Sequence, residues 1–448
     1  MINLDQPVKH QLSKQELIVL VTGNFIFLFL SFLLQAYISN EHSFCDIDSS
    51  AYLRNGFLWY KYGSFSPVHA TQQLPIYALG YPLFIGLLYK IFGPSVHLVI
   101  WVQILLALLA GLLLFFSVRR LFGATSAMVT YGLWSVNLGF LVFSHFILAE
   151  MFLIFLLILF FERFSSYWVF GCMLALGFAG LALGLSVLAK AVALYFPVFI
   201  LGILWFKNKR LWRIWFKQVI VFTIPFCLPI FAFMVHNKVV FNQFRLTYID
   251  SFNVQVFFYS QVKAYDHGTT WPIEINRLIA VNNGDLSKVK QQFWSDLSAR
   301  PFTFGLLWLR NVLKIFAGLY CTSLKTLVNS TRDGIHSYFA IQGSFRQLIV
   351  AYIEDGAQYF LVKVAAWIEV FCSLVRYIFC CFGLLFLWRS KQRLLLSFFL
   401  AYVFYFSFVI ACDGTARYRF FFEFVLIILA ALGIQFCVDW YKKGRRER

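Results

Sequence analysis

The chain has 448 residues, 61% of them hydrophobic and 13% charged, with a formal net charge of +18 at pH 7. Soluble domains lie near half apolar and a quarter charged, so a soluble globular fold is excluded. The basic excess does not point to nucleic acid either, because the Lys and Arg residues gather at the ends of apolar runs and no nucleic-acid-binding motif is found.

The apolar runs are about 20 residues long, enough for a helix to cross a hydrocarbon core about 30 Å thick. A helix satisfies its own backbone groups in lipid, which an open sheet does not. The expected class is therefore an all-α polytopic membrane protein. In chain order the candidate spans are 16–38, 96–118, 124–146, 148–163, 168–189, 192–206, 218–236, 361–388, 395–412 and 420–440, about ten in all. The runs 148–163 and 192–206 are short and are expected to extend or tilt. The first run is too long for a signal-peptide core and has no small-residue cleavage site after it, so it reads as a retained span.

Basic clusters set the orientation. They are Arg119-Arg120, KNKRLWRIWFK (207–217), Arg389 with Lys391 and Arg393, and YKKGRRER at 441–448. All four fall on one side if the N-terminus is cytoplasmic and the span count is even. Both termini then lie in the cytoplasm, and two long segments, 39–95 and 237–360, lie outside the inner membrane. The chain divides into an N-terminal transmembrane module (1–236) holding the first outer loop, an outer region (237–360), and C-terminal helices with a basic tail (361–448). Within the outer region FTFGLLWLRNVLKIFAGLY (302–320) is apolar but carries Arg310 and Lys314, and reads as an interfacial helix.

Most of the nine cysteines lie inside apolar runs and act as small hydrophobes. Cys45, Cys321 and Cys412 fall near outer ends, where a disulfide is compatible with the spacing but not specified by it.

The candidate chemistry lies in charges at the outer ends of spans. Asp46 and Asp48 follow the first span. A carboxylate there can act as a general base or a metal ligand, or simply be a solvated loop acid. Asp48 opens DSSAYLRNGFLWYKYG, a helix start with Asp or Ser as cap and aromatic residues suited to the interface. Glu150, near His145, begins an apolar run; a carboxylate in such a place is expensive and marks either a functional site or a partner for a buried Lys or Arg. His145 reads as a structural hydrogen-bonder. Lys190 ends the fifth span, and Arg417 and Arg419 begin the last, within reach of a phosphate or of lipid headgroups. Glu369 and Arg376 share one helix, Glu423 is spaced i,i+4 from Arg419, and Asp266 and His267 sit in the outer region. An N-S-T string occupies 329–331. No GxxxxGK, HExxH or Cys/His metal pattern occurs.

Four segments carry a family resemblance. Asp48-x-x-x-Tyr52, GSFS (63–66) and ALGYPLFIGLLYKIFG (78–93) resemble the first outer loop of the polyprenyl-phosphate-sugar-dependent transferases of the GT-C fold, among them protein O-mannosyltransferases and lipid A aminoarabinose transferases. SHFILAEMFLIFLLILF (144–160), GLSVLAKAVALYFP (184–197) and ARYRFFFEFVLIILAALG (416–433) are similar to that family's acidic fourth span, basic segment and R-Y-R entry, except that Phe420 to Phe422 stand where the family often has proline. The resemblance implies a GT-C-like bundle with interfacial helices in the first outer loop. It implies inverting transfer of a sugar from a polyprenyl-phosphate donor to a glycan, lipid or protein on the outer face. Asp48 would be the base, with Asp46 as the alternative and Glu150 assisting. Lys190, Arg417 and Arg419 would hold the phosphate, while Tyr52 and Tyr81 would shape the site. Divalent metal use differs within the family and stays open; no nucleotide cofactor is expected. The rival class is a secondary transporter or lipid flippase, which tends to show repeat symmetry and broken midplane helices; neither is visible in the sequence. An O-antigen ligase or polymerase is disfavoured by the Asp48-x-x-x-Tyr52 loop.

Overall fold

The computed structural model describes residues 11–38, 40–46, 48–65, 77–208, 211–282, 285–328 and 360–446. Ser66 of the GSFS string and the N-S-T string at 329–331 lie outside these. The described residues are helical, with no strand among them.

The first helix, α1 (Lys14–Tyr37), starts at a capping box: Ser13 accepts from the Glu16 N–H while the Glu16 carboxylate accepts from the Ser13 N–H. Helices α2 (Ser49–Tyr62) and α3 (Gly80–Phe92) follow it and pack on each other. Then come α4 (Val96–Phe122), α5 (Ala124–Ser135), α6 (Leu138–Phe143), α7 (Ala149–Phe170), α8 (Met173–Ala189), α9 (Pro197–Lys207) and α10 (Trp212–Phe241). A group of mostly shorter helices follows: α11 (Ile249–Phe252), a π-helical turn at Asn253–Phe258, α12 (Tyr259–His267), α13 (Trp271–Val281), α14 (Leu286–Ala299), α15 (Pro301–Ala317) and α16 (Cys321–Val328). The bundle closes with α17 (Phe360–Arg389), α18 (Arg393–Val409), a 3-10 segment at Ala416–Phe422 and α19 (Glu423–Arg446).

Among the described residues six helices are long and apolar enough to span, α1, α4, α7, α10, α17 and α19 with its preceding turn; a seventh results if α15 and α16, bent by 67°, count as one. Four shorter apolar helices, among them α3, α8 and α18, accompany them. The all-α polytopic class is thus borne out, and the run at 124–146 is corrected. It is not one helix, because Asn137 interrupts it. Its side chain accepts from the Phe140 N–H, capping α6, and donates to Glu423 at 2.8 Å.

Helix α19 lies at the centre, and its residues Phe424 to Leu432 are all buried, which requires an apolar surface on every side. Helix α8 lies close to α10 because Gly180 and Gly184, one turn apart, leave room for the Phe222 and Phe226 carbonyls, where a Cβ would collide. All nine cysteines are free, so the compatible disulfide among Cys45, Cys321 and Cys412 is not formed.

The bundle has two unlike ends. At one, Arg119 pairs with Glu16, Arg120 with Glu162 at 2.9 Å, and Lys207 donates to the Trp168 carbonyl at 3.2 Å. These contacts join the start of α1 to the ends of α4, α7 and α9. At the opposite end, the starts of α2 and α7, the end of α8 and the 416–422 turn converge.

Candidate active site

Four element ends deliver charges to that second end. Asp48 occupies the N-cap position of α2, yet its side chain makes no capping hydrogen bond. Its oxygens are taken instead: Oδ1 accepts from the Tyr77 hydroxyl at 2.8 Å and Oδ2 from Arg417 Nη2 at 2.7 Å. Ser49 ties this turn to the bundle, accepting from the Asp46 N–H at 2.8 Å and donating to the Ile147 carbonyl at 2.7 Å. Glu150 stands in the first turn of α7, where the helix dipole favours an anion, and Lys190 caps the C-terminus of α8, where it favours a cation.

Arg417 binds the cluster together. Its Nε donates to Glu150 Oε1 at 2.6 Å, its Nη2 to Asp48, and its Nη1 to Asp46 Oδ2 at 3.4 Å. Lys190 Nζ shares Glu150 Oε1 at 2.8 Å and lies over the Tyr418 and Phe421 rings, 4.8 and 5.1 Å from their centroids. Glu150 is fully buried, and its Oε2 has no hydrogen-bond partner among the described residues. A buried anion of this kind is tolerable only beside fixed cations, which Arg417 and Lys190 provide.

Aromatic residues wall the site. Tyr52 is buried between Tyr77 and Tyr81, with ring centroids 5.3 and 5.2 Å away. Burial, reinforced by Asp48 and Glu150, pushes the Tyr52 phenol well above its ordinary range, so it stays a neutral donor. Tyr81 donates to Gln103 at 2.6 Å, and Gln103 holds the Ser144 and Phe146 carbonyls at 3.2 and 2.7 Å. Its hydroxyl thus fixes the turn before Glu150. His145 hydrogen-bonds locally to the Leu141 carbonyl at 2.7 Å, consistent with a structural part.

Of the eight residues singled out in the sequence, the structure brings Asp46, Asp48, Glu150, Lys190, Arg417 and Tyr52 together, with Tyr81 behind them. Arg419 lies elsewhere. It is fully buried and donates to the Phe316 and Gly318 carbonyls at 3.1 and 2.6 Å and to Glu369 at 3.2 Å. Its Nε lies 3.4 Å from Glu423, the i,i+4 partner, which also pairs with Arg376. Arg417 and Arg419 diverge because a residue spacing of two turns them to different sides of a 3-10 segment. Sequence reasoning missed Tyr77, Tyr418 and Asp413. Asp413 sits in the turn after α18, half-buried, and interacts with Arg417, Lys190, Tyr418 and Asp48. Its signal was present: an acid four residues before Arg417 in ACDGTARYR. Asp266 pairs with Arg300 at 2.8 Å and His267 with Glu274 at 3.2 Å, both within the helices that follow α10. Among the described residues no group of three or more His, Cys, Asp or Glu has the geometry of a metal site.

The chain is similar to known proteins in part of its sequence and in its fold. Residues 77–236 match the family described as dolichyl-phosphate-mannose-protein mannosyltransferase. The fold is similar to that of an archaeal oligosaccharyltransferase from Archaeoglobus fulgidus, solved with an inhibitory peptide and a dolichol-phosphate, at a TM-score of 0.53 and 16% identity, covering 97% of this chain and 51% of that one. A second structure of the Archaeoglobus fulgidus oligosaccharyltransferase, with Zn and sulfate, gives a TM-score of 0.53 and 14% identity, covering 94% of this chain and 49% of that one. The chain thus spans about half the length of the solved structures it matches. No curated protein sequence matches the chain well enough to count as a relative. The GT-C resemblance read from the sequence is borne out by the family match over 77–236 and by a shared fold over nearly the whole chain.

Proposed function

We propose that the protein is a membrane glycosyltransferase that moves a sugar from a polyprenyl-phosphate-linked donor to a glycan, lipid or protein acceptor on the outer face of the inner membrane, with inversion. The observation that carries this reading is the convergence of Arg417 and Lys190 with Asp46, Asp48 and Glu150 at the end of the bundle opposite the basic clusters.

The reaction needs two things. The bond from C1 of the sugar to the phosphate oxygen breaks, and its electron pair stays on the phosphate. Preorganised cations lower the energy of that developing charge, and they act most strongly where water is scarce. Arg417 offers a planar fork of donors and Lys190 a point charge, both only 16% exposed. The acceptor hydroxyl attacks C1 from the face opposite the leaving oxygen, which inverts the centre, and its proton passes to a carboxylate. Asp48 takes this part in our reading, with Asp46 as the alternative; Tyr77 and Arg417 fix its orientation. Glu150 Oε2 is a buried acceptor suited to a sugar or acceptor hydroxyl. Tyr52 and Tyr81, both buried, shape the site by packing behind these charged groups.

The test uses vesicles holding wild type or Asp48→Asn at matched expression and a panel of radiolabelled polyprenyl-phosphate sugars. Wild type should consume one donor, and Asp48→Asn should do so roughly a hundred-fold more slowly or worse. Equal rates would remove Asp48 from the chemistry and move the test to Asp46. Consumption of no donor would overturn the transferase reading.

A further inference from the structure

Three carboxylates hold the Arg417 guanidinium, and in the scheme above it turns from them to a phosphate. Partners that are exchanged during the reaction do not fix where the arginine stands. The backbone on either side of Arg417 has to do that, and α15 grips it on both sides.

Before Arg417 lies the turn at 410–415, which joins α18 to the 3-10 segment. Gln261 Nε2, on α12, donates to the Cys412 carbonyl at 2.8 Å, and Asn311 Nδ2, on α15, donates to Gln261 Oε1 at 2.9 Å. The Cys412 side chain joins the apolar core that Val256, Val262, Phe304 and Leu307 form among these helices. Gly414, at φ +72°, lies so close to Asn311 that a Cβ there would meet its side chain at 3.0 Å. Trp308 Nε1, one turn before Asn311, donates to the Phe408 carbonyl at 3.0 Å, near the end of α18. After Arg417, Arg419 donates to the Phe316 and Gly318 carbonyls at the end of α15. Gly318 also passes directly against Ala416, the residue before Arg417; a Cβ on Gly318 would meet the Ala416 Cβ at 2.8 Å.

Both amides of the relay are buried, and Asn311 Oδ1 has no hydrogen-bond partner among the described residues. A buried, half-satisfied amide is less favourable than an apolar side chain of its size. Packing alone therefore does not account for Asn311. What the amide does is hold Gln261, and through it the Cys412 carbonyl, five residues before Arg417.

We infer that Gln261, held by Asn311, is a positioning residue for Arg417: it fixes the segment that carries the arginine, so the guanidinium keeps its place when a donor phosphate displaces the carboxylates. The inference rests on the transferase reading. Gln261 touches no reacting atom and acts only through the backbone. Its effect on transfer must then disappear when the arginine fork is gone, which a merely structural role would not show.

The test is a double-mutant cycle in nanodiscs. Wild type, Gln261→Met, Arg417→Lys and the double variant are compared in their consumption of the polyprenyl-phosphate sugar that wild type uses, below the unfolding transition of each. Gln261→Met is close in size and removes the donor. It should slow transfer roughly ten- to a hundred-fold in the wild-type background, the effect of a misplaced catalytic group. In the Arg417→Lys background the same change should slow transfer less than about three-fold, because residues that act as a unit are not additive. An equal loss in both backgrounds, or no loss in the wild-type background, overturns the inference and leaves the transferase reading intact. Gln261→Glu gives a second measurement within one folded protein. The introduced carboxyl can donate to the Cys412 carbonyl when protonated and cannot when ionised. Its transfer rate, taken relative to wild type at the same pH, should therefore fall as pH rises from acidic to alkaline. A ratio constant with pH overturns the inference, even where Gln261→Met does not fold. Wild type that consumes no donor overturns the transferase reading itself.

Discussion

Arg417 and Arg419 are separated by one residue and meet different partners. Arg417 faces three carboxylates at the site; Arg419 holds two backbone carbonyls, Glu369 and Glu423 in the interior. Substitution by lysine, which keeps the charge and loses the fork, separates these roles. Arg417→Lys should leave the unfolding temperature near wild type and lower transfer by roughly a hundred-fold, as expected for a lost charge-stabilising donor. Arg419→Lys should strip hydrogen bonds from the carbonyls of Phe316 and Gly318 and destabilise the fold by about 2 kcal/mol, read as a lower unfolding temperature in detergent. Much of the site was legible in the sequence because charges beside apolar runs are costly and few, so each demanded a partner. Which arginine faced which way was not, since that depends on a 3-10 turn that no spacing announces. Asp413 and Tyr77 were missed because a polar residue in a turn is common, and only folding reveals what lies across from it.

At the scale of elements, the site depends on how closely helices approach. Helix α8 presents Lys190, and its position is set by Gly180 and Gly184 against the carbonyls of Phe222 and Phe226. Gly184→Val would force α8 and α10 apart or distort them, at a cost of about 1–3 kcal/mol. Lys190 would shift with its helix, so the variant should show weaker donor affinity as well as a lower unfolding temperature; unchanged donor KM and stability would mean that α8 does not set the position of Lys190. The positions of most long helices followed from apolar length alone. The break at 124–146 did not, although Asn137 was visible inside the run. An isolated amide in an apolar stretch is as compatible with an interhelical hydrogen bond as with a helix end, and here it makes both, capping α6 and reaching Glu423.

At the scale of the whole molecule, sidedness decides whether the site meets its substrates. Arg119, Arg120 and Lys207 cluster at one end, tied to Glu16, Glu162 and the Trp168 carbonyl, and Asp48, Glu150, Lys190 and Arg417 lie at the other. In the reading proposed above, the positive-inside rule assigns the first end to the cytoplasm, which would put the site on the outer face. Exposed Lys61, at the end of α2, and exposed Lys391, between α17 and α18, mark the two ends. In a variant with its native cysteines replaced, Lys61→Cys should react with a membrane-impermeant maleimide in intact spheroplasts. Lys391→Cys should react only after permeabilisation. The reverse pattern would put the acids and cations in the cytoplasm, where a transferase using outward-facing lipid-linked sugars could not work. The expected pattern would leave Arg417 and Lys190 at the depth where a polyprenyl phosphate presents its headgroup, with the chain of the lipid beside the apolar surface of the bundle.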